Sequence, residues 1–460
     1  MNSGSGLVEH TLTARMDRLP TIGRSHIVWI ALLGILFLFD NADNNALAYT
    51  APAIQKEWGL SLGQIGALTS GAFLGQFVGA LLGGRLADRY GRKKTLLGAT
   101  YLYVLSSLVC AVAPNFTVLG VARVITGLGL QAITGVVIVY VAEMFPAATR
   151  GRFQAIILAA GLVGIPFIAF VARAVVPLGP STWRWVFVIA SLGFVAAIAA
   201  QFMLPETVRW QELNDRHAAA EPVVARLEAE VLARTGHPLP EPHDAPLETT
   251  HLVGEILRPP NRRRLIVASV TLVFGIFGFY GFNAFLPTLL TTQGYSIAQA
   301  LTITVIFSIA PVLGALLATT VTDRYQRKNI ILGISAATAV VMVAFAFSAA
   351  QYGLLLATGI AVTLLLQAFA AILYAYLPEV FPTTLRGLGA GIANGLGRLA
   401  GFGGAFLIPV LAAGFGFVGV YVGTAISMVL CGLTVFLFGE RTKGRALEDI
   451  VSDEPLRHAA

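Results

Sequence analysis

Asp40 and Asp43 stand where a carboxylate is costly, in the run Asp40-Asn41-Ala42-Asp43-Asn44-Asn45 that interrupts an apolar stretch between Phe39 and Ala46. A spacing of three puts both carboxyls on one helix face, one turn apart. Desolvation and mutual repulsion each raise a carboxyl's pKa above its reference of about 3.9. A carboxyl brought near neutrality can take a proton on one side of a barrier and release it on the other. The plainer role is that one Asp neutralises a buried arginine and never titrates. Asp43 lies deeper in the polar cluster and is the favoured carrier, with Asp40 the alternative.

Arg123 and Arg398 are cations well inside other apolar runs. A guanidinium is a planar fork of donors suited to a carboxylate, so each calls for an internal Asp or an anionic ligand. Arg398 lies among Gly395, Gly397 and Gly401, where a slim backbone lets a cavity approach, and reads as a site for a substrate carboxylate. Arg173, near one end of its run, reads as a residue whose charge snorkels to water. Gln131, Tyr280, Asn283, Gln367 and Tyr374 are candidates to line the same cavity, orienting a ligand by hydrogen bonds or stacking. Each is also a reasonable contact between helices.

The elements that must hold these groups follow from composition. Only 12% of the 460 residues are charged and 56% are hydrophobic, with a mean hydropathy of +0.76. Apolar runs of roughly 20 residues, the length that crosses a bilayer core, recur along nearly the whole chain. Their continuity marks them as helices, since barrel strands alternate apolar and polar residues. Twelve spans are expected, near 27–52, 62–83, 95–113, 117–141, 153–177, 183–204, 264–290, 298–319, 329–349, 352–377, 387–412 and 416–438. The fold class is an all-α membrane protein.

Two distant stretches repeat each other. Asp88-Arg89-Tyr90-Gly91-Arg92-Lys93 returns as Asp323-Arg324-Tyr325-Gln326-Arg327-Lys328, 235 residues later. Glu143-Met144-Phe145-Pro146 returns at Glu379, and Arg150-Gly151 at Arg386-Gly387, both 236 on. A constant offset across several motifs means internal duplication. The domains are therefore a tail (1–26), a six-helix bundle (27–204), a polar linker with a short helix (205–263), a second six-helix bundle (264–438) and a tail (439–460). Gly71, Gly75, Gly79 and Gly83 repeat every four residues in the second span, a pattern for close packing.

Cys110 and Cys431 both fall in apolar spans, which rules out a disulfide framework or a zinc site as the organising principle. No metal cluster, nucleophile motif or phosphate loop emerges, so neither an enzyme nor a cofactor is expected. The first 26 residues lack the apolar core of a signal peptide. The net charge of +7 does not imply nucleic acid. With both termini inside, all but Lys56, Arg123, Arg173, Arg184 and Arg398 of the 31 Lys and Arg residues lie on the cytoplasmic side, as the positive-inside rule requires.

These motifs carry a resemblance. Residues 84–94 are similar to the signature between helices two and three of the major facilitator superfamily, with a degenerate copy at 319–328, and Arg123-Val124-Ile125-Thr126-Gly127-Leu128-Gly129 resembles its fourth-helix motif. Pro205-Glu206-Thr207-Val208-Arg209-Trp210 and Glu440-Arg441-Thr442-Lys443-Gly444 resemble sugar-porter signatures. Asp40 and Asp43 followed by Ala51-Pro52-Ala53, Phe285-Leu286-Pro287-Thr288-Leu289-Leu290, and Gly395-Leu396-Gly397-Arg398 resemble the aromatic-acid and metabolite proton symporters. The glutamine pair of sugar porters is missing in helix seven, where Gly278-Phe279-Tyr280-Gly281-Phe282-Asn283 stands.

The resemblance implies two pseudo-symmetric six-helix bundles working by alternating access. It links Arg123 to proton transfer together with Asp40 and Asp43. It implies a gating role for Asp88, Arg89, Arg92, Glu143 and Arg150 and for their repeats Asp323, Glu379 and Arg386, with Asp88 capping the helix that starts near Gly387. The expected function is proton-coupled uptake of a small organic acid or related metabolite by a monomer in the cell membrane, with both termini cytoplasmic. A sugar or polyol porter is the alternative, followed by drug efflux and a non-transporting nutrient sensor.

Overall fold

The computed structural model describes residues 11–242, 253–322, 326–382 and 385–440. A short helix α1 (Leu12–Asp17) precedes the first lobe: α2 (Arg24–Trp58), α3 (Leu62–Tyr90), α4 (Arg92–Val112), α5 (Phe116–Met144), α6 (Arg150–Val175) and the stacked pair α7 (Arg184–Ala190) and α8 (Gly193–Met203). Three small helices follow, α9 (Val208–Leu213), α10 (His217–Thr235) and α11 (Val253–Ile256). The second lobe holds α12 (Asn261–Asn283), α13 (Leu286–Thr292), α14 (Ile297–Thr322), α15 (Arg327–Ala346), α16 (Tyr352–Glu379) and α17 (Arg386–Phe438).

Among the described residues, 11 helical segments are long and apolar enough to cross a membrane. The last, α17, has 53 residues, which at 1.5 Å per residue is about 80 Å, far more than one bilayer core. It breaks at Gly416, where φ is 65° and ψ −158°, a conformation glycine reaches without a Cβ clash. Two crossings result, and the total is the expected twelve.

The duplication is visible as repeated contacts. Arg92 pairs with Glu143 at 2.8 Å, and 235 residues on Arg327 pairs with Glu379 at 2.8 Å. Tyr140 donates its hydroxyl proton to the Pro205 carbonyl, as Tyr376 does to that of Glu440. Inside the first lobe the glycine ladder of α3 meets α5 backbone to backbone. A Cβ at Gly75 would land on the Val124 carbonyl and one at Gly79 on that of Leu128.

α2 starts three residues before the expected span, and the segment ahead of it is docked. Arg15 pairs with Glu221 at 2.8 Å and Glu228 at 2.7 Å, and Arg18 with Glu228 at 2.6 Å. Glu212 on α9 accepts the Leu12 and Thr13 amides. This face of the molecule, carrying α1 and α9–α11, is called the linker face.

The lobes meet on the opposite, far half. Ser70 donates to the Phe402 carbonyl at 2.8 Å, the Phe73 ring stands edge-on to Tyr280 at 4.9 Å, and the Arg173 guanidinium donates to Thr302 Oγ1 at 2.6 Å. Arg173 thus ties α6 to α14 instead of simply reaching for water. At the linker-face end of α3, the Asp88 side chain is 74% exposed and pairs within its own lobe. The molecule is closed on the far face and open towards the linker face.

Candidate functional site

α2 presents Asp43 to α4 and α5, and two buried groups close on it. Arg123 donates to Asp43 Oδ1 at 2.8 Å, with both side chains essentially inaccessible. The Ser107 hydroxyl of α4 donates to the other carboxylate oxygen. The Arg123 guanidinium also lies over the Phe187 ring, 5.7 Å from its centroid. A buried ion pair holds only when geometry and extra hydrogen bonds offset desolvation, and Ser107 supplies the extra bond.

Asp40, one turn nearer the linker face, is also buried, but among the described residues it has no salt bridge and its Oδ1 has no hydrogen-bond partner. The charges of Asp43 and Arg398 and the Thr134 hydroxyl act on it. Two carboxylates on one helix face therefore occupy different settings, one locked on a cation and one not.

Arg398 crosses between the lobes. Its Nη1 donates to Gln76 Oε1 of α3 at 2.9 Å and to the Tyr280 hydroxyl of α12 at 3.1 Å. Gln76 in turn donates to Asn44 Oδ1 at 2.7 Å. Among the described residues the hydrogen-bond partners of this half-buried cation are neutral, and its Nε is unbonded. On the far side of this bridge lies a cavity lined by Asn44, Asn45, Gln76, Tyr280, Asn283 and Gln367, with Arg123 and the Phe73 and Phe307 rings.

Of the expected substrate contacts, Tyr280, Asn283 and Gln367 line this cavity, and Arg398 bonds two of its lining residues. Gln131 and Tyr374 do not line it. Gln131 is eight residues past Arg123 on α5, about 12 Å further towards the linker face at helical rise, and Tyr374 lies about 10 Å past Gln367 on α16. Tyr374 is 44% exposed yet within the field of Arg398, as a residue facing the open cleft would be.

Of the gating candidates, Asp88, Arg92 and Glu143 form one network, arranged differently from the expectation. Arg92 holds both Asp88, at 3.1 Å, and Glu143. Glu143 also accepts from Thr207 at 2.6 Å, and Glu206 accepts the Lys93 amide at 2.9 Å. The Trp210 indole donates to the Asp88 carbonyl at 2.7 Å. The segment after the sixth span is thus a clasp on the loop between α3 and α4. Arg150 pairs with Asp17 of α1 at 2.6 Å, not with Glu143, and Arg89 lies over Tyr90. Asp88 does not cap α17: its carboxylate is on Arg92 and the space beside Gly387 is empty, because the linker-face ends of the lobes are apart. Arg386 opens α17 and Glu379 closes α16. Asp323, with Arg441, Thr442, Lys443 and Gly444, lies outside the described residues.

Gln76, Ser107 and Thr134 are not among the residues to which the sequence points. Each is a neutral polar residue in an apolar helix, a type that usually bonds its own backbone or a neighbouring helix. Gln76 alone carried a hint, its place in the glycine ladder where α3 is slimmest.

Two six-helix lobes about a central cavity, with buried charges at mid-depth and irregular helix ends around it, define a multi-pass secondary transporter. Residues 27–453 match the sugar (and other) transporter family, and the chain belongs to it. YyaJ of Bacillus subtilis, named for metabolite transport, is 34% identical over 94% of this chain and 96% of its own. The niacin transporter NiaP of Acinetobacter baylyi is 28% identical over 95% and 99%. Among solved structures, the E. coli xylose transporter XylE, in a partially occluded inward open conformation, superposes with a TM-score of 0.74 at 19% identity over 91% of this chain and 99% of that one. The family is one of transporters, and the chain is not an enzyme.

Proposed function

We propose that the protein takes up a small organic acid together with a proton, by alternating access, as a monomer in the cell membrane. The linker face is cytoplasmic on this reading, which puts the excess of Lys and Arg inside and makes the cleft inward-facing. The observation that carries the proposal is the pairing of unlike sites: Asp43 is bound to Arg123, while Asp40 is buried without a cation and within the field of Arg398.

The coupling follows from charge balance. When Asp40 is ionised, its charge offsets that of Arg398. When Asp40 takes a proton, Arg398 has only the neutral Gln76 and Tyr280 for company, and a substrate carboxylate becomes the favoured counter-charge. Proton and anion then bind with positive cooperativity, which is reciprocal by linkage. Opening to the cytoplasm lets Asp40, the nearer of the two acids to that face, release its proton, and Arg398 loses its need for the anion. Asp43 and Arg123 hold the geometry. An aromatic carboxylate suits the Phe73, Tyr280 and Phe307 rings of the cavity, and the niacin transporter is a relative that fits this class.

A second reading, a sugar or polyol porter, draws on Asn44, Asn45, Gln76, Asn283 and Gln367, neutral groups suited to hydroxyls. Proteoliposome uptake under an imposed pH gradient separates the two, with nicotinate, other aromatic acids, dicarboxylates and sugars offered in turn. Gradient-driven accumulation of an aromatic acid is expected. Uptake indifferent to the gradient sinks symport, and uptake of sugars alone overturns the acid assignment.

A further inference from the structure

A second binding surface lies far from the cavity, where the first turns of α12 run beside the last turns of α17. Arg262, Arg263 and Arg264 stand in a row there, and the fold divides them. Arg264 is buried, 3.9 Å from Glu440 and within 3.5 Å of Asn261. Arg262 and Arg263 are exposed, and their side chains have no partner among the described residues. Both line a groove with Ile266, Val270, Thr434 and Phe438. Arg262, Ile266 and Val270 are spaced by four, so one helix face carries a cation at the linker end and aliphatic groups above it. The row climbs about 12 Å into the membrane-spanning part of α12. Ile266 and Phe438 are more than half exposed, so the groove is open to the bilayer.

The duplicated lobe lacks the feature. An offset of 235 matches Arg262 and Arg263 to Ile27 and Val28, which are exposed and apolar. The two-fold scaffold therefore does not require cations here, and the second lobe alone carries them. A greasy groove ending in two unpaired guanidiniums at the membrane surface has the shape and charge of a phospholipid turned inside out.

We propose that this groove holds one anionic glycerophospholipid of the leaflet on the linker face, its phosphate on Arg262 and Arg263 and an acyl chain along Ile266, Val270 and Phe438. Guanidinium forks match phosphate oxygens, and basic clusters at helix ends on the cytoplasmic side favour anionic headgroups. The site is independent of the substrate and of the coupling residues.

The test uses the full chain, purified in detergent and examined by native mass spectrometry with dioleoyl-phosphatidylglycerol or dioleoyl-phosphatidylcholine. The wild type is expected to retain phosphatidylglycerol on the order of tenfold better, Arg262→Gln/Arg263→Gln to lose that preference, and Arg258→Gln to keep it. In a parallel arm, Phe438→Trp fluorescence is expected to be quenched by phosphatidylglycerol with brominated chains. That arm keeps both arginines and stays decisive if the double variant aggregates. Equal retention of the two lipids, an unchanged preference in the double variant, or no quenching overturns the proposal. So does displacement of the lipid by inorganic phosphate at equal concentration, which would make the site a plain anion site.

Discussion

Replacing Arg123 with Gln removes the only cation that pairs with Asp43 among the described residues and leaves a carboxylate at 0% exposure, with Ser107 as its remaining side-chain partner there. Breaking one side of a buried pair costs about 3–5 kcal/mol, because the remaining charge is uncompensated, whereas replacing both partners with neutral groups is often near neutral. Asp43→Asn/Arg123→Gln is therefore expected to recover most of what Arg123→Gln loses, a coupling of about 3 kcal/mol. A unit of 150–250 residues, the size of one lobe, shifts about 2–4 °C in Tm per kcal/mol, so the single variant should melt roughly 6–20 °C lower. The protein carries its own reporter, since Cys110 and Cys431 are buried free thiols and a thiol-reactive dye reads their exposure on heating. Ser107→Ala should cost about 1 kcal/mol, the value of one hydrogen bond. An Arg123→Gln variant that melts with the wild type, or a double variant as labile as the single, would refute the reading of this pair as a mutually compensated buried unit.

Four further outcomes follow. Asp40→Asn should abolish accumulation against a gradient while substrate exchange across the membrane continues; with one proton per anion, a one-unit pH step should sustain about tenfold accumulation in the wild type, and equal accumulation by the variant refutes the role of Asp40. Arg398→Gln should raise KM for the acid roughly ten- to hundredfold, the worth of a charged hydrogen bond, with Arg398→Lys restoring only part; an unchanged KM removes Arg398 from the site. For Glu228, burial opposes ionisation, but its bonds to Arg15 and Arg18 prevail and hold its carboxyl below the ordinary glutamate value, so its stabilisation of the α1 dock is complete above that ordinary value and is lost only as pH falls through the depressed one. Hydrogen exchange over 11–23 should therefore stay slow until pH falls below the ordinary glutamate value, and rise at pH 7 in Glu228→Gln. Finally, Gly75→Ala should cost about 1–3 kcal/mol by overpacking against Val124, while Gly84→Ala, with open space around it, should melt near the wild type.

Much of this architecture was legible as pattern. Span number follows from hydropathy and bilayer thickness, and duplication from the offset shared by Asp88, Glu143 and Arg150 with their repeats. The misfit of Asp40, Asp43, Arg123 and Arg398 with their apolar surroundings marked the site, because an intramembrane charge is too costly to stand without a task. Tertiary packing sorted those four. Whether Asp40 or Asp43 meets Arg123 depends on the azimuths of α2 and α5, and adjacent turns of one helix face differ too little in sequence to decide it. Gln76 bonds Asn44 and also Arg398, 322 residues further along the chain, a distance over which no local pattern reaches. The gate shows the deepest limit. A transporter's single sequence must be compatible with at least two lobe arrangements of similar free energy, so Asp88 free of α17 and paired with Arg92 belongs to one of them. The sequence alone set the helices, their pairing in two lobes and the list of costly charges, since those depend on local hydrophobicity and helix period. Which charge touches which, and on which face the lobes open, were left to the rigid-body packing of the lobes, where differences of a few kcal/mol decide.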